Sequence, residues 1–273
     1  MKEMSKTPPE IAEAFCEIGR KKTELALDRM FILAILAGVY IGFGVQLATT
    51  VGQDLVSTVG LGFSKFMEGA VFSVGLMLVV IGGAELFTGN NLVVVSCLGG
   101  KASLKRLLRN WVVVYIGNFV GAVLLVLIVF EGHLYTMGGN ALGLKALSVA
   151  NSKVNLTFLE ALCRGIACNW LVCLSVWLAA SSADTTGKIL SCFFPIMAFV
   201  ASGYEHSVAN MYFIPMGIFL KGVPSIVAKS GLDLANLSWS GFILNNLIPV
   251  TIGNLIGGAF FVGVLYWYIY LRK

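Results

Sequence analysis

Charged residues are scarce in this chain. Only 12% of its 273 residues are Asp, Glu, Lys or Arg, and 58% are hydrophobic, whereas an ordinary soluble domain has about 25% charged residues. This scarcity excludes a typical water-soluble protein and indicates a polytopic membrane protein. The net charge of +5 does not indicate a nucleic-acid partner either, because the basic residues stand beside apolar runs rather than in a patch with aromatic residues.

Histidine and cysteine are also too few, or wrongly spaced, for metal chemistry. The two histidines, His133 and His206, are far apart and cannot form the ligand cluster of a metal- or haem-dependent membrane enzyme. None of the six cysteines forms a CxxC pair, and Cys163, Cys168 and Cys173 do not share one helix face at a spacing of five. We therefore expect no metal, no cofactor and no enzymatic activity, and thiols that serve packing.

Long apolar runs dominate the rest of the sequence. They cover residues 30–48, 66–98, 111–130, 156–180, 189–219 and 242–270. A helix needs about 20 residues to cross the hydrocarbon layer. The sequence thus predicts an all-α protein with a six-helix transmembrane domain over residues 30–270. A polar N-terminal segment, 1–29, precedes it, and a short C-terminus, 271–273, follows.

The N-terminal segment has the pattern of an amphipathic helix. Thr7-Pro8-Pro9-Glu10 is typical of a helix start, since proline is tolerated in the first turn and an acid there favours the helix dipole. We expect the helix to lie along the membrane or on its own protein, either as a simple lead-in or as a gate. Its apolar positions are Ile11, Phe15, Ile18, Leu25 and Ala26.

Basic residues are distributed unequally between the two sets of loops. Thirteen Lys and Arg fall in the N-terminal segment, the loops after the second and fourth spans, and the C-terminus. Five fall on the other side, namely Lys65, Lys145, Lys153, Lys221 and Lys229. The positive-inside rule then predicts a multi-pass protein of the cytoplasmic (inner) membrane with both termini in the cytoplasm.

Two apolar runs contain polar residues near their middle. The second contains Gly-Gly-Ala-Glu-Leu-Phe-Thr-Gly-Asn-Asn at 82–91, and the fifth contains Ser-Gly-Tyr-Glu-His-Ser at 202–207. A charged group inside a membrane span costs about 2.5–3.5 kcal/mol on insertion scales, so such residues generally face a cavity or a partner. Irregular backbone at this depth also survives only when it is buried in protein or lines a cavity. The sequence therefore predicts broken second and fifth helices. The alternative is a buried polar pair that only ties two helices together.

The two halves of the sequence match each other in order. Glu85 precedes Asn90 by five residues, and Glu205 precedes Asn210 by five. Ile-Gly-Asn-Phe-Val-Gly at 116–121 in the third span resembles Ile-Gly-Asn-Leu-Ile-Gly at 252–257 in the sixth. Because three spans invert the direction of the chain, the halves predict an inverted 3+3 repeat with its substrate site at the two breaks.

At these residues the chain resembles the formate/nitrite transporter family. Residues 80–89, Val-Ile-Gly-Gly-Ala-Glu-Leu-Phe-Thr-Gly, fit the first family signature. Residues 165–174 fit the second, followed by Ser175 where alanine is usual, and residues 203–211 match the region around the pore histidine. The resemblance covers all six spans. It implies a homopentamer in the lipid bilayer, an aquaporin-like protomer, and a pore in each protomer for small monovalent anions.

The resemblance also assigns roles to individual residues. It implies that His206 is the central titratable group, with Thr88 and Asn169 as polar neighbours that hold the substrate or the imidazole. Lys153 matches the family's vestibule lysine, although an ordinary interface lysine is the alternative. The expected apolar constrictions are Leu86, Phe87, Phe199, Phe72 and Leu76.

The mechanism that follows is anion attraction followed by neutralisation. Lys153 would concentrate the anion, which would exchange or share a proton with His206 before it passes the constrictions. We expect Glu85 and Glu205 to be structural, with Glu205 directed away from the pore. Arg164 is expected to pair with Glu160 or to reach an interface, without a transport role. The amides at the breaks, Asn90 and Asn210, are expected to be structural, and His133 to be solvated.

Other classes of transport protein remain as alternatives. A proton-coupled secondary transporter of a small carboxylate fits the same residues. A neutral-solute channel of aquaporin-like architecture is a second alternative, although the paired Asn-Pro-Ala motifs of water and glycerol channels are absent. An ammonium channel would need two pore histidines. The sequence does not choose among formate, nitrite, hydrosulfide and lactate.

Overall fold

The N-terminal segment forms a helix that packs on its own protein. In the computed structural model, which describes residues 5–272, this helix runs over Pro8–Glu24. The Glu10 carboxylate accepts a hydrogen bond from the Thr7 backbone N–H at 2.7 Å, and this bond holds the pKa of Glu10 below its ordinary value. Phe15 stacks on Trp177 with ring centroids 5.0 Å apart. Leu25 and Ala26, predicted on the same face, lie beyond the end of the helix.

Between residues 5 and 272 the chain consists of helices joined by turns and loops, and it contains no strand. Five helices are individually long and apolar enough to cross a membrane. They are Leu27–Gly52, Leu61–Gly82, Leu104–Glu131, Phe158–Ser181 and Trp239–Tyr270. A pair bent by 101°, Ser207–Leu220 and Pro224–Ser230, brings the possible number of spans to six. Shorter helices are Leu55–Val59, Gly89–Leu98, Leu134–Thr136, Ala141–Val154 and Thr185–Ala201. The predicted all-α membrane architecture is confirmed.

Both predicted helix breaks are present. The helix Leu61–Gly82 ends at Gly83, whose φ is +82°, and helical structure resumes at Gly89. The helix Thr185–Ala201 ends just before Gly203, whose φ is +75°, and the next helix begins at Ser207. Each glycine adopts the left-handed conformation that residues with a side chain disfavour. The chain therefore leaves its helix at the same kind of position in each half.

The first break is held by an asparagine from the third span. The side-chain oxygen of Asn118 accepts a hydrogen bond from the Phe87 backbone N–H at 2.9 Å. Its amide nitrogen donates to the carbonyl oxygens of Glu85, at 2.9 Å, and Ala34, at 2.8 Å. One buried side chain thus supplies partners for the N–H of Phe87 and the carbonyl of Glu85, which lie in the break, and ties them to the first span at Ala34.

The second break is held in the same way by Asn254. Its oxygen accepts from the Ser207 backbone N–H at 2.9 Å, and its nitrogen donates to the carbonyls of Gly165, at 2.8 Å, and Glu205, at 3.0 Å. Asn118 and Asn254 are the asparagines of the two matched Ile-Gly-Asn segments. The inverted repeat is therefore visible in the contacts as well as in the sequence.

The last glycine of each matched segment sits where two helices touch. A Cβ at Gly121 would run into the carbonyl oxygen of Ile35, and one at Gly257 would run into that of Ile166. We expect Gly257→Ala to destabilise the protein by about 1–3 kcal/mol, because rigid backbone must move apart. Gly62→Ala is the control, since a Cβ at Gly62 meets nothing within 4 Å. Thermal unfolding in detergent, followed by gel filtration, compares the two. Equal unfolding temperatures would contradict the prediction.

Candidate functional site

Two cavities enter the helix bundle from opposite ends. The first vestibule, about 350 Å³, is lined by the N-terminal helix and by Ala179 and Ala180 near the end of the helix Phe158–Ser181. The second vestibule, about 300 Å³, is lined by Lys153 and Arg164, which flank the start of that same helix. A path between the two vestibules would therefore cross the bundle.

Thr88 and His206 meet in the interior, next to the second vestibule. The Thr88 hydroxyl oxygen lies 2.9 Å from Nε2 of His206, and both residues are buried. Thr88 directly precedes the helix Gly89–Leu98, and His206 is the N-cap of the helix Ser207–Leu220. The positive ends of two half-helices thus converge on this contact, which favours an anion.

The cap fixes the tautomer of the neutral imidazole. Nδ1 of His206 accepts a hydrogen bond from the Ala209 backbone N–H at 3.0 Å. A neutral ring that accepts at Nδ1 has its proton on Nε2, so Nε2 donates to the Thr88 oxygen. The Thr88 hydroxyl is then free to donate its own hydrogen to a third group. The pair can therefore offer an O–H donor to an incoming anion.

Four of the predicted constriction residues line the two vestibules. Phe72 and Phe199 pack edge to face, with centroids 5.6 Å apart, in the wall of the second vestibule, and Phe199 stacks on His206 at 5.9 Å. Leu76 and Leu86 line the first vestibule. All four are almost completely buried. The structure thus places apolar side chains on both sides of the Thr88–His206 contact.

Phe87 does not belong to this set. Its ring packs against Tyr115, at 4.8 Å between centroids, and against Trp111, at 6.4 Å. It lines a separate apolar groove between the third and sixth spans. The Phe87 constriction therefore stays a prediction, since the contacts of its ring are with Tyr115 and Trp111 and it lines neither vestibule.

Asn169 contacts the backbone of Thr88 rather than the imidazole. Its amide nitrogen donates to the Thr88 carbonyl at 3.3 Å, to the side-chain oxygen of Asn91 at 2.8 Å and to the Asn254 carbonyl at 2.7 Å. Its own side-chain oxygen is buried and has no hydrogen-bond partner among the described residues. Of the two predicted polar neighbours, only Thr88 touches His206 directly.

In the second vestibule Lys153 forms a buried ion pair. Its ammonium lies 2.8 Å from Glu205 and 5.0 Å from the centre of the Phe213 ring. Glu205 also accepts from Asn210 at 2.7 Å and from Asn246 at 3.4 Å. The expectation that Glu205 faces away from the pore is wrong, since its carboxylate lies in the vestibule wall.

The first vestibule contains the counterpart of this network. Lys22 lies 2.6 Å from Glu85, Asn90 donates to Glu85 at 2.6 Å, and Asn90 also donates to Asn110 at 2.9 Å. Sequence reasoning missed Lys22, Asn110 and the equivalent Asn246. A signal was present, because a lysine stands near the end of the amphipathic helix before the first span of each half.

The predictions for Arg164 and His133 have different outcomes. Arg164 makes no ion pair with Glu160, whose carboxylate is used by Thr157 at the helix start, and it lines the second vestibule instead. His133 is exposed as predicted and lies 2.8 Å from the Tyr135 hydroxyl.

Comparisons with known proteins agree with this arrangement. The family model described as formate/nitrite transporter matches residues 9–268. The chain belongs to the formate/nitrite transporter family. It is 46% identical to the probable formate transporter of Methanothermobacter thermautotrophicus, over 98% of each protein. It is 41% identical to the formate channel FocA of Escherichia coli strain K12, over 97% of this chain and 95% of that protein.

Solved structures of the family share the fold. A pentameric formate channel with formate bound matches with a TM-score of 0.81 and 42% identity, over 90% of this chain and 98% of that one. An FNT family ion channel matches with a TM-score of 0.79 and 30% identity, over 95% and 98%. The family predicted from the signatures is confirmed, and the chain is a membrane transport protein.

Proposed function

We propose that this chain is one subunit of a homopentameric channel and that each protomer passes small monovalent weak-acid anions, formate foremost, across the cytoplasmic membrane. The observation that supports this best is the Thr88–His206 contact, which joins two half-helix ends between two vestibules. The relatives whose names specify formate support the choice of anion. The excess of basic residues on the N-terminal side supports cytoplasmic termini, which makes the first vestibule the inner one.

Each vestibule would raise the local concentration of anions. Lys22 in the first and Lys153 in the second are each paired with a single carboxylate, and the asparagines beside them add further donors to that carboxylate. Lysines in a low-dielectric recess attract small anions more strongly than lysines on a flat surface. The pairs also explain how charged side chains are tolerated at this depth.

The apolar side chains between the vestibules would exclude a bare anion. A carboxylate that leaves water without gaining new hydrogen bonds loses a large solvation free energy. The neutral acid loses much less. Phe72 and Phe199 on one side and Leu76 and Leu86 on the other offer no hydrogen-bonding side-chain group. The anion must therefore be neutralised or hydrogen-bonded where it meets these residues.

Neutralisation would occur at the Thr88–His206 pair. Desolvation increases the affinity of a weak-acid anion for a proton, and imidazole is the side chain that titrates nearest to neutral pH. We infer a concerted relay in which the Thr88 O–H passes its proton to the anion while the Nε2–H of His206 passes its own to the Thr88 oxygen. Nε2 takes a proton back from vestibule water, which is left as hydroxide, so the ring stays neutral and Nδ1 keeps the Ala209 N–H. One O–H bond of water is broken for the O–H bond of the acid that forms, and one proton crosses with each anion.

Flux measurements test the proposed function. The purified protein would be reconstituted in liposomes, and stopped-flow uptake of formate, nitrite and hydrosulfide recorded beside glycerol as a neutral solute. We expect saturable uptake of formate and no glycerol uptake above that of protein-free liposomes. Native mass spectrometry of the same sample should give a pentamer. A folded pentamer that moves no small anion, or that moves glycerol as fast as formate, would contradict the proposal.

A further inference from the structure

Three of the four basic side chains in the second vestibule already have carboxylate partners. Lys65 and Lys145 each lie 2.8 Å from the same carboxylate, Glu68. Glu68 is almost completely buried and fills the space above Gly52, where a Cβ would collide with it. Lys153 is paired with Glu205, as described above. The three lysines thus share two carboxylates, which leaves one net positive charge, and each ammonium already has a carboxylate partner.

The fourth basic side chain is Arg164, and its position is unusual. Among residues 5–272 no carboxylate oxygen lies within 4.0 Å of its guanidinium, although the side chain is exposed and lines the vestibule. It stands six residues after Phe158, where the helix begins, which is about 9 Å along the helix axis. An exposed guanidinium without a carboxylate partner is open to water and to an anion that enters the vestibule.

Arg164 is also attached to the segment that bears the central histidine. Its carbonyl oxygen accepts a hydrogen bond from the Glu205 backbone N–H at 3.3 Å. In the first half the same contact is made by Leu33, whose carbonyl accepts from the Glu85 N–H at 3.2 Å. The arginine therefore occupies a position next to the pore break that is apolar in the other half. The two vestibules are not chemically equivalent.

A guanidinium differs from an ammonium group in what it recognises. Its planar fork of N–H donors matches the two oxygens of a carboxylate or similar planar anion through two parallel hydrogen bonds. Formate and nitrite present two oxygens in such a plane, whereas hydrosulfide presents a single sulfur. We propose that Arg164 forms an anion-binding site in the second vestibule that selects two-oxygen anions over hydrosulfide. This inference rests on the proposed function.

Half-saturating concentrations of uptake test the site. Arg164→Leu removes both the positive charge and the planar set of N–H donors. Arg164→Lys keeps the charge but removes the planar donors. Lys145→Met removes a charge from the same vestibule and leaves the guanidinium intact. For formate and nitrite, we expect Arg164→Leu to raise the half-saturating concentration about five- to tenfold, with a smaller change for hydrosulfide. Arg164→Lys should impair formate and nitrite but spare hydrosulfide. Lys145→Met should shift all three anions alike.

The outcomes separate this site from the function on which it depends. If the wild-type protein moves formate and both Arg164 variants keep its half-saturating concentrations, the site is wrong and the channel remains. If Arg164→Leu weakens all three anions equally and Arg164→Lys restores them, only general charge matters and the selectivity claim is wrong. If the wild-type protein moves none of the anions, the proposed function and the site fail together. If Arg164→Leu does not assemble, the half-saturating concentrations of Arg164→Lys and the wild-type protein decide the question.

Discussion

Replacing His206 with asparagine should slow formate uptake by about 10² or more and flatten its dependence on pH between about 5 and 8. Asparagine has no ring N–H that can pass a proton to the Thr88 oxygen and take one back. Its side-chain oxygen can still accept from the Ala209 N–H, because asparagine is a favoured N-cap. The helix Ser207–Leu220 should therefore begin at the same place, and the change should report on proton exchange rather than on folding.

Stopped-flow uptake in liposomes at a series of pH values measures this effect. His133→Asn is the matched control, since His133 is exposed and lies outside both vestibules. It should retain the wild-type rate and pH profile. If His206→Asn keeps both the wild-type rate and the wild-type pH profile, the channel assignment stands but the proton relay through the imidazole is wrong.

Replacing Asn254 with leucine should prevent assembly or lower the unfolding temperature sharply. The substitution keeps the branched shape of the side chain but leaves the Ser207 N–H and the carbonyls of Gly165 and Glu205 without the partner that they have in the structure. Buried polar groups left without partners cost about 1–3 kcal/mol each, which gives a loss of roughly 3 kcal/mol or more even when other groups compensate in part. Asn118→Leu should act in the same way on the first break.

Thermal unfolding of the detergent-solubilised protein, with native mass spectrometry of the surviving oligomer, measures this loss. Asn245→Leu is the control, because Asn245 is exposed in the same helix and makes one long hydrogen bond, at 3.3 Å. It should unfold near the wild-type temperature. If Asn254→Leu and Asn245→Leu unfold at the same temperature, Asn254 does not hold the break.

The sequence was sufficient to locate the breaks because membrane burial leaves few explanations for polar residues. Glu205 and His206 within an apolar run required a cavity or a partner, and the structure supplies both. The repeated Ile-Gly-Asn segments indicate an internal repeat from the sequence alone. Their asparagines proved to be the residues that hold the two breaks.

The direction of side chains in the breaks could not be predicted. Helical periodicity assigns a residue to a face, but Phe87 lies where the helix has ended. Its backbone N–H is bound by Asn118, which stands 31 residues later in the chain, and its ring packs on Tyr115 and Trp111. A pattern of apolar residues cannot reveal such a contact.

The charged contacts of the vestibules were equally hidden. Lys22 reaches Glu85 across 63 residues, from a helix that the sequence placed either on the membrane or on the protein. Arg164 has Glu160 four residues before it, which predicts a pair on one helix face. The helix start competes for that carboxylate, since Thr157 donates to Glu160 from its N–H and its hydroxyl, both at 2.8 Å.

The central claim is that formate becomes neutral between the two vestibules by taking a proton at Thr88 and His206. The most direct test records the internal pH of liposomes during formate uptake by the wild-type protein, with and without a potassium diffusion potential. The account predicts that the interior acidifies in step with uptake, by one proton per formate, and that the potential does not change the initial rate. Uptake that follows the potential, without acidification, would show that the bare anion crosses and would contradict the account.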